Sequence, residues 1–246
     1  QAIVLAAGEG TRMKSQTPKV LHSIAGRTLL GHVLNSLDSL NPKSIRVVVG
    51  SGREEVESHL AQIAPDAIAV FQAERNGTGH AVQIAIDGVK SNGLALILAG
   101  DTPMLSASTL QEFVAAHQAG KFTASVMTAE HPDPSGYGRI IRGDDGLLLK
   151  IVEERDATDD QKLIFEVNSG VYLFDFAALS NAISKLKRDN AQGELYLTDA
   201  IQIIRENGGK VAAILCEDFT ETLGVNDRIQ LAEAAAILRD RVAERH

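Results

Sequence analysis

The sequence predicts an α/β fold, a Rossmann-like doubly wound domain with a mostly parallel sheet, a β-rich insertion and a long C-terminal helix. Two observations predict it. From Ala2 to Ala119, short apolar runs alternate with segments of helical periodicity, which is the pattern of βαβ units. After Thr123 several strand-like runs follow one another before helices resume.

In the first half, the predicted strands are short, and the first is fully apolar, as expected for a strand that is buried on both faces of a sheet. The strands are predicted over residues 2–7, 45–50, 67–71 and 94–99. The helices are predicted over residues 29–40, 54–63, 79–89 and 106–119, and Ser106 is a plausible N-cap of the last one. This half therefore predicts the doubly wound core.

The second half contains the β-rich insertion. Strands are predicted over residues 123–129, 138–142, 147–153 and 166–174, with a turn at 143–146 and a polar loop at 156–162. Helices over 176–187 and 198–206 and a strand over 211–215 follow. The last helix, over 227–244, carries an apolar stripe of Leu231, Ala235, Leu238 and Val242. The predicted division is a main domain over residues 1–226 and a helical arm over 227–246.

Composition predicts a cytoplasmic protein without nucleic-acid or membrane partners. The 246 residues are 44% hydrophobic and 23% charged, and the formal charge of −8 disfavours nucleic acid. No apolar run approaches the roughly 20 residues that cross a bilayer, and the N-terminus lacks the basic region and cleavage site of a signal peptide. Cys216 is the single cysteine, which excludes an intramolecular disulfide and suits a reducing compartment.

A glycine-rich loop over residues 5–13 follows the first strand, at the sheet edge where open α/β folds bind ligands. Gly8 and Gly10 let the backbone approach phosphates and form an anion-binding nest. The loop lacks the Lys-Ser/Thr pair of a Walker A motif, and Met13 replaces the third glycine of the dinucleotide motif. Arg12 and Lys19 add two cations, so an anion site is favoured over a plain turn.

The segment G-E-G-T-R-M, followed by P-K-V-L-H, resembles the signature of sugar nucleotidyltransferases. It looks most like the uridyltransferases acting on N-acetylglucosamine 1-phosphate, which form the N-terminal half of a bifunctional bacterial enzyme. The resemblance continues in order over the whole chain through Q-A-E-R-N-G-T-G-H-A, A-G-D-T-P-M, G-Y-G-R-I, I-V-E-E, E-V-N-S-G-V, L-Y-L-T-D and G-V-N-D-R.

The resemblance implies a set of site residues. Arg12 and Lys19 would be catalytic, and Asp101 and Asn226 would hold Mg²⁺, the implied cofactor. Uracil would be recognised at Gln72, Gly77 and Thr78, and the acetylated amino sugar at Gly138, Glu153 and Asn168, in the β-rich insertion. The remaining substrate contacts would come from Leu5, Ala6, Ala7, Gly8, Ala99 and Gly100, together with Lys19, Asp101 and Asn226.

The implied reaction joins UTP and N-acetylglucosamine 1-phosphate into UDP-N-acetylglucosamine and pyrophosphate. The sugar phosphate would attack the α-phosphorus directly, without a protein nucleophile or a general base. The similar full-length enzyme carries a C-terminal acetyltransferase of hexapeptide repeats that forms a homotrimer. This sequence lacks such a repeat, so we expect no acetyl transfer, and the predicted arm would lead to that absent domain.

Three alternatives remain open at this stage. The chain could act on another sugar, as a glucose-1-phosphate uridylyl- or thymidylyltransferase, because sugar choice rests on few contacts. It could be a catalytically silent subunit that binds nucleotide sugars. It could also be a structural βαβ domain without nucleotide binding. The joint presence of Arg12, Lys19, Asp101 and Asn226 favours an active enzyme.

Overall fold

A computed structural model describes residues 1–244 of the chain. Its strands are β1 (Ala2–Ala6), β2 (Ser23–Ile24), β3 (Arg27–Thr28), β4 (Ile45–Val49), β5 (Ile68–Phe71), β6 (Leu94–Ala99), β7 (Ala124–Glu130), β8 (Arg139–Arg142), β9 (Leu148–Val152), β10 (Glu166–Asp175) and β11 (Val211–Leu215). Its α-helices are α1 (Leu29–Leu37), α2 (Arg53–Ile63), α3 (Thr78–Ile86), α4 (Ala107–Gly120), α5 (Asp159–Lys162), α6 (Phe176–Ile183), α7 (Asp199–Glu206) and α8 (Arg228–Glu244).

The central sheet has the order β11-β7-β10-β6-β1-β4-β5. Neighbours along this path run parallel, except that β10 runs opposite to both β6 and β7. The β8–β9 hairpin joins the sheet through β10, with Arg139 paired to Val167. The predicted doubly wound, mostly parallel fold with a β-rich insertion is confirmed. Strand order reverses around β1, so the carboxyl ends of β1 and β6 border a ligand-binding crevice.

Helices cover both faces of the sheet, and an apolar core lies under each layer. Along β1, Ile3 packs into the core under α3, α6 and α7, while Val4 packs into the core under α1, α2 and α4. Both side chains are fully buried. Burial on both faces explains why the central strands β1 and β6 are apolar throughout instead of alternating.

Three local predictions differ from the structure. The predicted polar loop at 156–162 contains α5, which begins with a capping box between Thr158 and Gln161. The predicted helix at 176–187 ends at Ile183. The predicted loop after β1 includes the β2–β3 hairpin. Short elements of this kind lack the apolar periodicity on which helix and strand prediction depends.

The long C-terminal helix is present as α8 and packs against the main domain. Ala234 is only 2% exposed, in a small core with Ile24, Leu29 and Met104. The predicted apolar stripe holds for Leu231, Ala235 and Leu238 but is wrong for Val242, which is 50% exposed and lies outside this core. Arg245 and His246 of the predicted arm lie outside the described residues. Within 1–244, no helix combines the length and apolar character needed to span a bilayer.

We expect Ala234→Asp to lower the free energy of unfolding by roughly 2–5 kcal/mol, because it places a polar group in an apolar contact without a partner. Ile229→Asp is the matched control, since Ile229 lies on the same helix and is 72% exposed. It should change stability by no more than about 0.5 kcal/mol. Urea denaturation followed by circular dichroism measures both. Equal stability of the two variants would contradict the docking of α8.

Candidate active site

A cavity of about 460 Å³ opens at the carboxyl ends of β1 and β6. It is the crevice that the reversal of strand order predicts. The cavity brings together most of the predicted site residues, which are distributed over more than two hundred positions of the chain. They are Leu5, Ala6, Ala7, Gly8, Lys19, Gln72, Gly77, Thr78, Ala99, Asp101, Gly138, Glu153, Asn168 and Asn226.

Two predicted site residues do not line this cavity. Arg12 lies on a short 3-10 helix, Thr11–Met13, and its side chain is exposed. Gly100 is buried against β1, where its N–H donates to the carbonyl of Leu5 at 2.9 Å. A Cβ at Gly100 would come within 3.2 Å of Ala6. Gly100 therefore packs behind the residues that line the cavity.

The two glycines of the glycine-rich loop have different roles. Gly8 has open space where a side chain would be, so a ligand can approach its backbone. Gly10 has a φ of 63°, and a Cβ there would lie 2.6 Å from Cβ of Lys19. Gly10 thus permits a left-handed turn and a close approach of the Lys19 stem. From the start of α8, Arg228 donates through Nε to the carbonyl of Met13 at 2.9 Å and holds the end of the loop.

Lys19 lies at the centre of the cavity wall, between the two predicted metal ligands. Its ammonium group forms an ion pair with Asp101 and donates to Oδ1 of Asn226 at 3.0 Å. All three side chains line the cavity, and the Lys19 side chain is 11% exposed. The N–H of Val225 donates to the carbonyl of Asp101 at 2.8 Å, which aligns Asn226 with the end of β6.

Asp101 and Asn226 fit a hard divalent cation. Oxygens from both side chains already face one cation, the ammonium of Lys19. Carboxylate and amide oxygens are the ligand types that Mg²⁺ takes, and Mg²⁺ typically keeps few protein ligands alongside phosphates and water. In residues 1–244, no group of three His, Cys, Asp or Glu side chains forms a metal cluster. The chemistry of the site therefore suits a metal shared with a phosphate ligand.

The predicted uracil end lies in the loop between β5 and α3. Gln72 is buried, and its Nε2 lies 3.2 Å from the carbonyl of Gly77 and 3.1 Å from Nδ1 of His80. Gly77 has a φ of 99°, and a Cβ there would lie 2.5 Å from the carbonyl oxygen of Leu195. The hydroxyl of Thr78 accepts from the N–H of Leu197 at 3.1 Å. The loop is thereby anchored to the L-Y-L-T-D segment.

The predicted sugar end is formed by the β8–β9 hairpin and an irregular part of β10. The register of β10 shifts between Asn168 and Tyr172, and Gly170 there has a φ of 80°. This bulge directs several side chains of the strand into the cavity. A Cβ at Gly138 would lie 3.5 Å from Oε2 of Glu153 and 3.6 Å from Cβ of Asn168. A Cβ there would also lie 2.9 Å from Cγ2 of Ile151, so glycine at this position lets the chain pack closely against β9.

The model of the MobA-like NTP transferase domain matches residues 2–170, which is more than half of the chain. The chain belongs to this family. Membership makes it a nucleotidyltransferase and accounts for the arrangement of glycine-rich loop, lysine and carboxylate at one sheet edge.

Curated relatives of this NTP transferase are similar over nearly the whole chain. The bifunctional protein GlmU of Thermobifida fusca is 50% identical over 247 residues, which cover 98% of this chain and 51% of that protein. GlmU of Streptomyces avermitilis is 50% identical over 246 residues, covering 99% and 51%. GlmU of Alkaliphilus metalliredigens is 45% identical over 247 residues, covering 100% and 53%. The chain thus spans about half the length of these relatives.

Among solved structures, a candidate glucose-1-phosphate thymidylyltransferase from Bacillus anthracis, crystallised with sucrose, has the same fold. The TM-score is 0.76, and the match covers 98% of this chain and 95% of that chain. The sequence identity is 21%. The likeness confirms the α/β nucleotidyltransferase fold of this NTP transferase.

The cavity of this NTP transferase also contains residues that the sequence did not single out. Tyr137 lies near Asp101, and burial, followed by the charges of Asp101 and Asp133, raises the pKa of its phenol. The motif G-Y-G-R-I contains Tyr137, but a tyrosine beside glycines has no distinctive spacing. The others are Val20, Arg75, Ala81, Thr102, Gly136, Ser169, Gly170, Tyr172, Glu194, Leu197, Thr222 and Gly224.

Glu153 carries the most perturbed carboxyl group at the sugar end. Burial raises its pKa, and the nearby charges of Asp199 and Asp156 raise it further, while a hydrogen bond from Thr198 at 3.0 Å opposes them. Burial, assisted by the charge of Glu153, also raises the pKa of Tyr172, which stays a neutral phenol. Its oxygen accepts from Nδ2 of Asn168 at 2.6 Å. The predicted sugar end of this NTP transferase therefore contains a carboxyl group whose charged form is disfavoured by burial.

We expect Glu153→Gln to make the free energy of unfolding less sensitive to a rise in pH. Because the pKa of Glu153 is higher in the folded than in the unfolded state, its stabilising contribution is complete below the unfolded pKa and is lost as pH rises through the folded pKa. The variant should thus gain stability over the wild type as pH rises from about 4 to 8. Thermal unfolding over that range measures the difference, with Glu112→Gln on the exposed side of α4 as control. A constant difference would contradict the buried carboxyl group.

Proposed function

We propose that this domain transfers UMP from UTP to N-acetylglucosamine 1-phosphate, releasing pyrophosphate and UDP-N-acetylglucosamine. The observation that carries the proposal is that Lys19, Asp101 and Asn226 meet in one cavity, which the glycine-rich loop and Gly138, Glu153 and Asn168 also line. The near 50% identity to GlmU proteins over the whole chain supports the same reading. A nucleotide and a sugar phosphate would then meet at the ammonium group.

The proposal extends to the organisation of the longer protein. The relatives are bifunctional and about twice as long, so we assign nucleotidyl transfer to residues 1–226 and treat 227–246 as the arm towards a second, acetyltransferase domain. That second domain would form a homotrimer. The reducing cytoplasm is the proposed compartment, which suits the free thiol of Cys216.

The chemistry requires two anions to approach each other. An oxygen of the sugar phosphate attacks the α-phosphorus of UTP, and the bond from that phosphorus to the bridging oxygen of pyrophosphate breaks. The attacking oxygen is already anionic at neutral pH, so the chain needs no general base. Lys19 would leave Asp101 and Asn226 to neutralise the reacting phosphates. When bound by those two side chains, Mg²⁺ would supply further charge neutralisation.

Other residues would position the two substrates. The open backbone at Gly8 receives phosphates, while the anchored Gln72–Thr78 loop holds the base. At the other end, Glu153 and Asn168, which line the cavity together with Gly138, would hold the sugar. Positioning of this kind lowers the barrier by converting a bimolecular encounter into a nearly intramolecular one.

Pyrophosphate release measured over four nucleoside triphosphates and several sugar 1-phosphates, with and without Mg²⁺, tests the proposed function. The expected result is turnover with UTP and N-acetylglucosamine 1-phosphate that depends on Mg²⁺. Preference for glucose 1-phosphate would move the assignment to another sugar nucleotidyltransferase. Nucleotide binding without turnover would identify a silent binding subunit.

We expect Lys19→Ala and Asp101→Ala each to lower turnover by about 10²–10³-fold, the cost of removing a charge-stabilising group from a transition state. Circular dichroism should show an unchanged fold. Lys185→Ala and Asp189→Ala, at exposed positions, remove the same charges elsewhere and should keep wild-type turnover. Full activity in either site variant would refute the assignment.

We expect Gly138→Ala to weaken sugar-phosphate binding and leave UTP binding unchanged, because the new methyl group would lie 2.9 Å from Cγ2 of Ile151 and displace the wall that carries Glu153. We expect KM for the sugar phosphate to rise about tenfold, which corresponds to a loss of about 1.4 kcal/mol in binding free energy. Gly93→Ala is the control, since the nearest atom to its new methyl group is 3.8 Å away. Steady-state kinetics in both substrates distinguish the two effects, and an unchanged KM would contradict the pocket.

A further inference from the structure

Arg75 and Glu9 form an ion pair at the nucleotide end of the cavity. Arg75 belongs to the loop between β5 and α3, and Glu9 directly follows Gly8 in the glycine-rich loop. Both side chains are 48% exposed, and Arg75 lines the cavity. The pair therefore connects the predicted base-binding loop with the predicted phosphate-binding loop.

The backbone that carries Arg75 is fixed on both sides. The N–H of Gln72 donates to the carbonyl of Val49 at 2.8 Å, at the end of β4. The carbonyl of Asn76 accepts from the N–H of Leu195, also at 2.8 Å. The guanidinium group of Arg75 can therefore move while the backbone of Arg75 stays in place beside the glycine-rich loop.

The charge balance of the cavity leaves a role for Arg75. Among the described residues that line the cavity, Lys19 and Arg75 are the Lys and Arg side chains, and Asp101, Glu153 and Glu194 are the acidic ones. Lys19 lies at Asp101 and Asn226, whereas Arg12 lies off the wall. A nucleoside triphosphate brings several negative charges, so a second cation is needed at the nucleotide end.

We propose that Arg75 binds the β- and γ-phosphates of the nucleotide and that Glu9 holds its guanidinium group until a polyphosphate displaces the carboxylate. This inference rests on the proposed function, because it assumes a nucleoside triphosphate in the cavity. The planar guanidinium fork matches carboxylate and phosphate oxygens equally well, so the exchange conserves its hydrogen bonds. An exposed carboxylate is a weak competitor, since half-exposed ion pairs contribute little. A polyphosphate, which brings several negative charges, can therefore displace Glu9.

Calorimetric titration of the whole chain with UTP and with UMP, in the presence of Mg²⁺, tests the assignment. Arg75→Gln should weaken UTP binding by about 10-fold or more, the loss of charge-assisted hydrogen bonds, and change UMP binding less than about twofold. Arg75→Lys should restore part of the loss. Glu9→Gln should tighten UTP binding severalfold, and this gain should vanish in the Glu9→Gln/Arg75→Gln double variant.

Arg239→Gln is the matched control, because Arg239 is 75% exposed on α8 and should leave both affinities unchanged. Unchanged UTP affinity in Arg75→Gln, when the wild type binds UTP, would overturn the inference and leave the proposed function intact. Equal losses for UTP and UMP would also overturn it, since Arg75 would then contact the nucleoside or the α-phosphate. Absence of UTP binding by the wild type would refute the proposed function itself.

Discussion

The ammonium group of Lys19 joins three segments that are far apart in the sequence, and the cavity depends on this junction. Asp101 lies 82 positions and Asn226 lies 207 positions from Lys19. Without a cation between them, a largely buried carboxylate would face the cavity unpaired, which is costly in a partly desolvated site. The junction fixes the end of β6 against the loop after β1 and holds the segment before α8 in place. This one contact therefore positions the segment after the glycine-rich loop together with Asp101 and Asn226, the predicted metal ligands.

Around that junction, glycines are as important for the structure as charged residues. Gly10 lets the stem of Lys19 pass at a distance that a methyl group would block, and Gly77 does the same for the backbone of Leu195. Gly138 also permits close packing, because a Cβ there would lie 2.9 Å from Cγ2 of Ile151. These three glycines thus serve close packing of the chain on itself, whereas Gly8 has open space and lines the cavity. The difference is visible only once the atoms opposite each glycine are known.

The sequence predicted the parallel half of the fold closely because its strands are mostly apolar and its helices are periodic. It also predicted Lys19, Asp101 and Asn226, although their meeting at one ammonium group depends on long-range contacts that carry no local signal. Gly100 adjoins the wall residues Ala99 and Asp101 in the sequence but packs against β1, and Arg12 lies on a short helix with its side chain exposed. Arg75 was not predicted as a site residue because an isolated arginine in a loop belongs to no recognisable sequence pattern. Its meaning comes from Glu9, which lies on another loop.

Both Lys and Arg side chains on the described wall of the cavity are paired with chain oxygens before any ligand is bound. When a ligand binds at such a wall, each cation exchanges a protein acceptor for a phosphate. The binding free energy therefore depends on how much more strongly the cation interacts with the phosphate than with the protein oxygen. A monophosphate gains little in that exchange, whereas a polyphosphate replaces both partners at once. At the predicted sugar end the balance is different, because within residues 1–244 no ion pair joins Glu153 to a Lys or Arg side chain and burial disfavours its charge. In the proposed reaction, the nucleotide end would therefore select by charge and the sugar end by hydrogen bonding, so the two substrates would be recognised by different physical means.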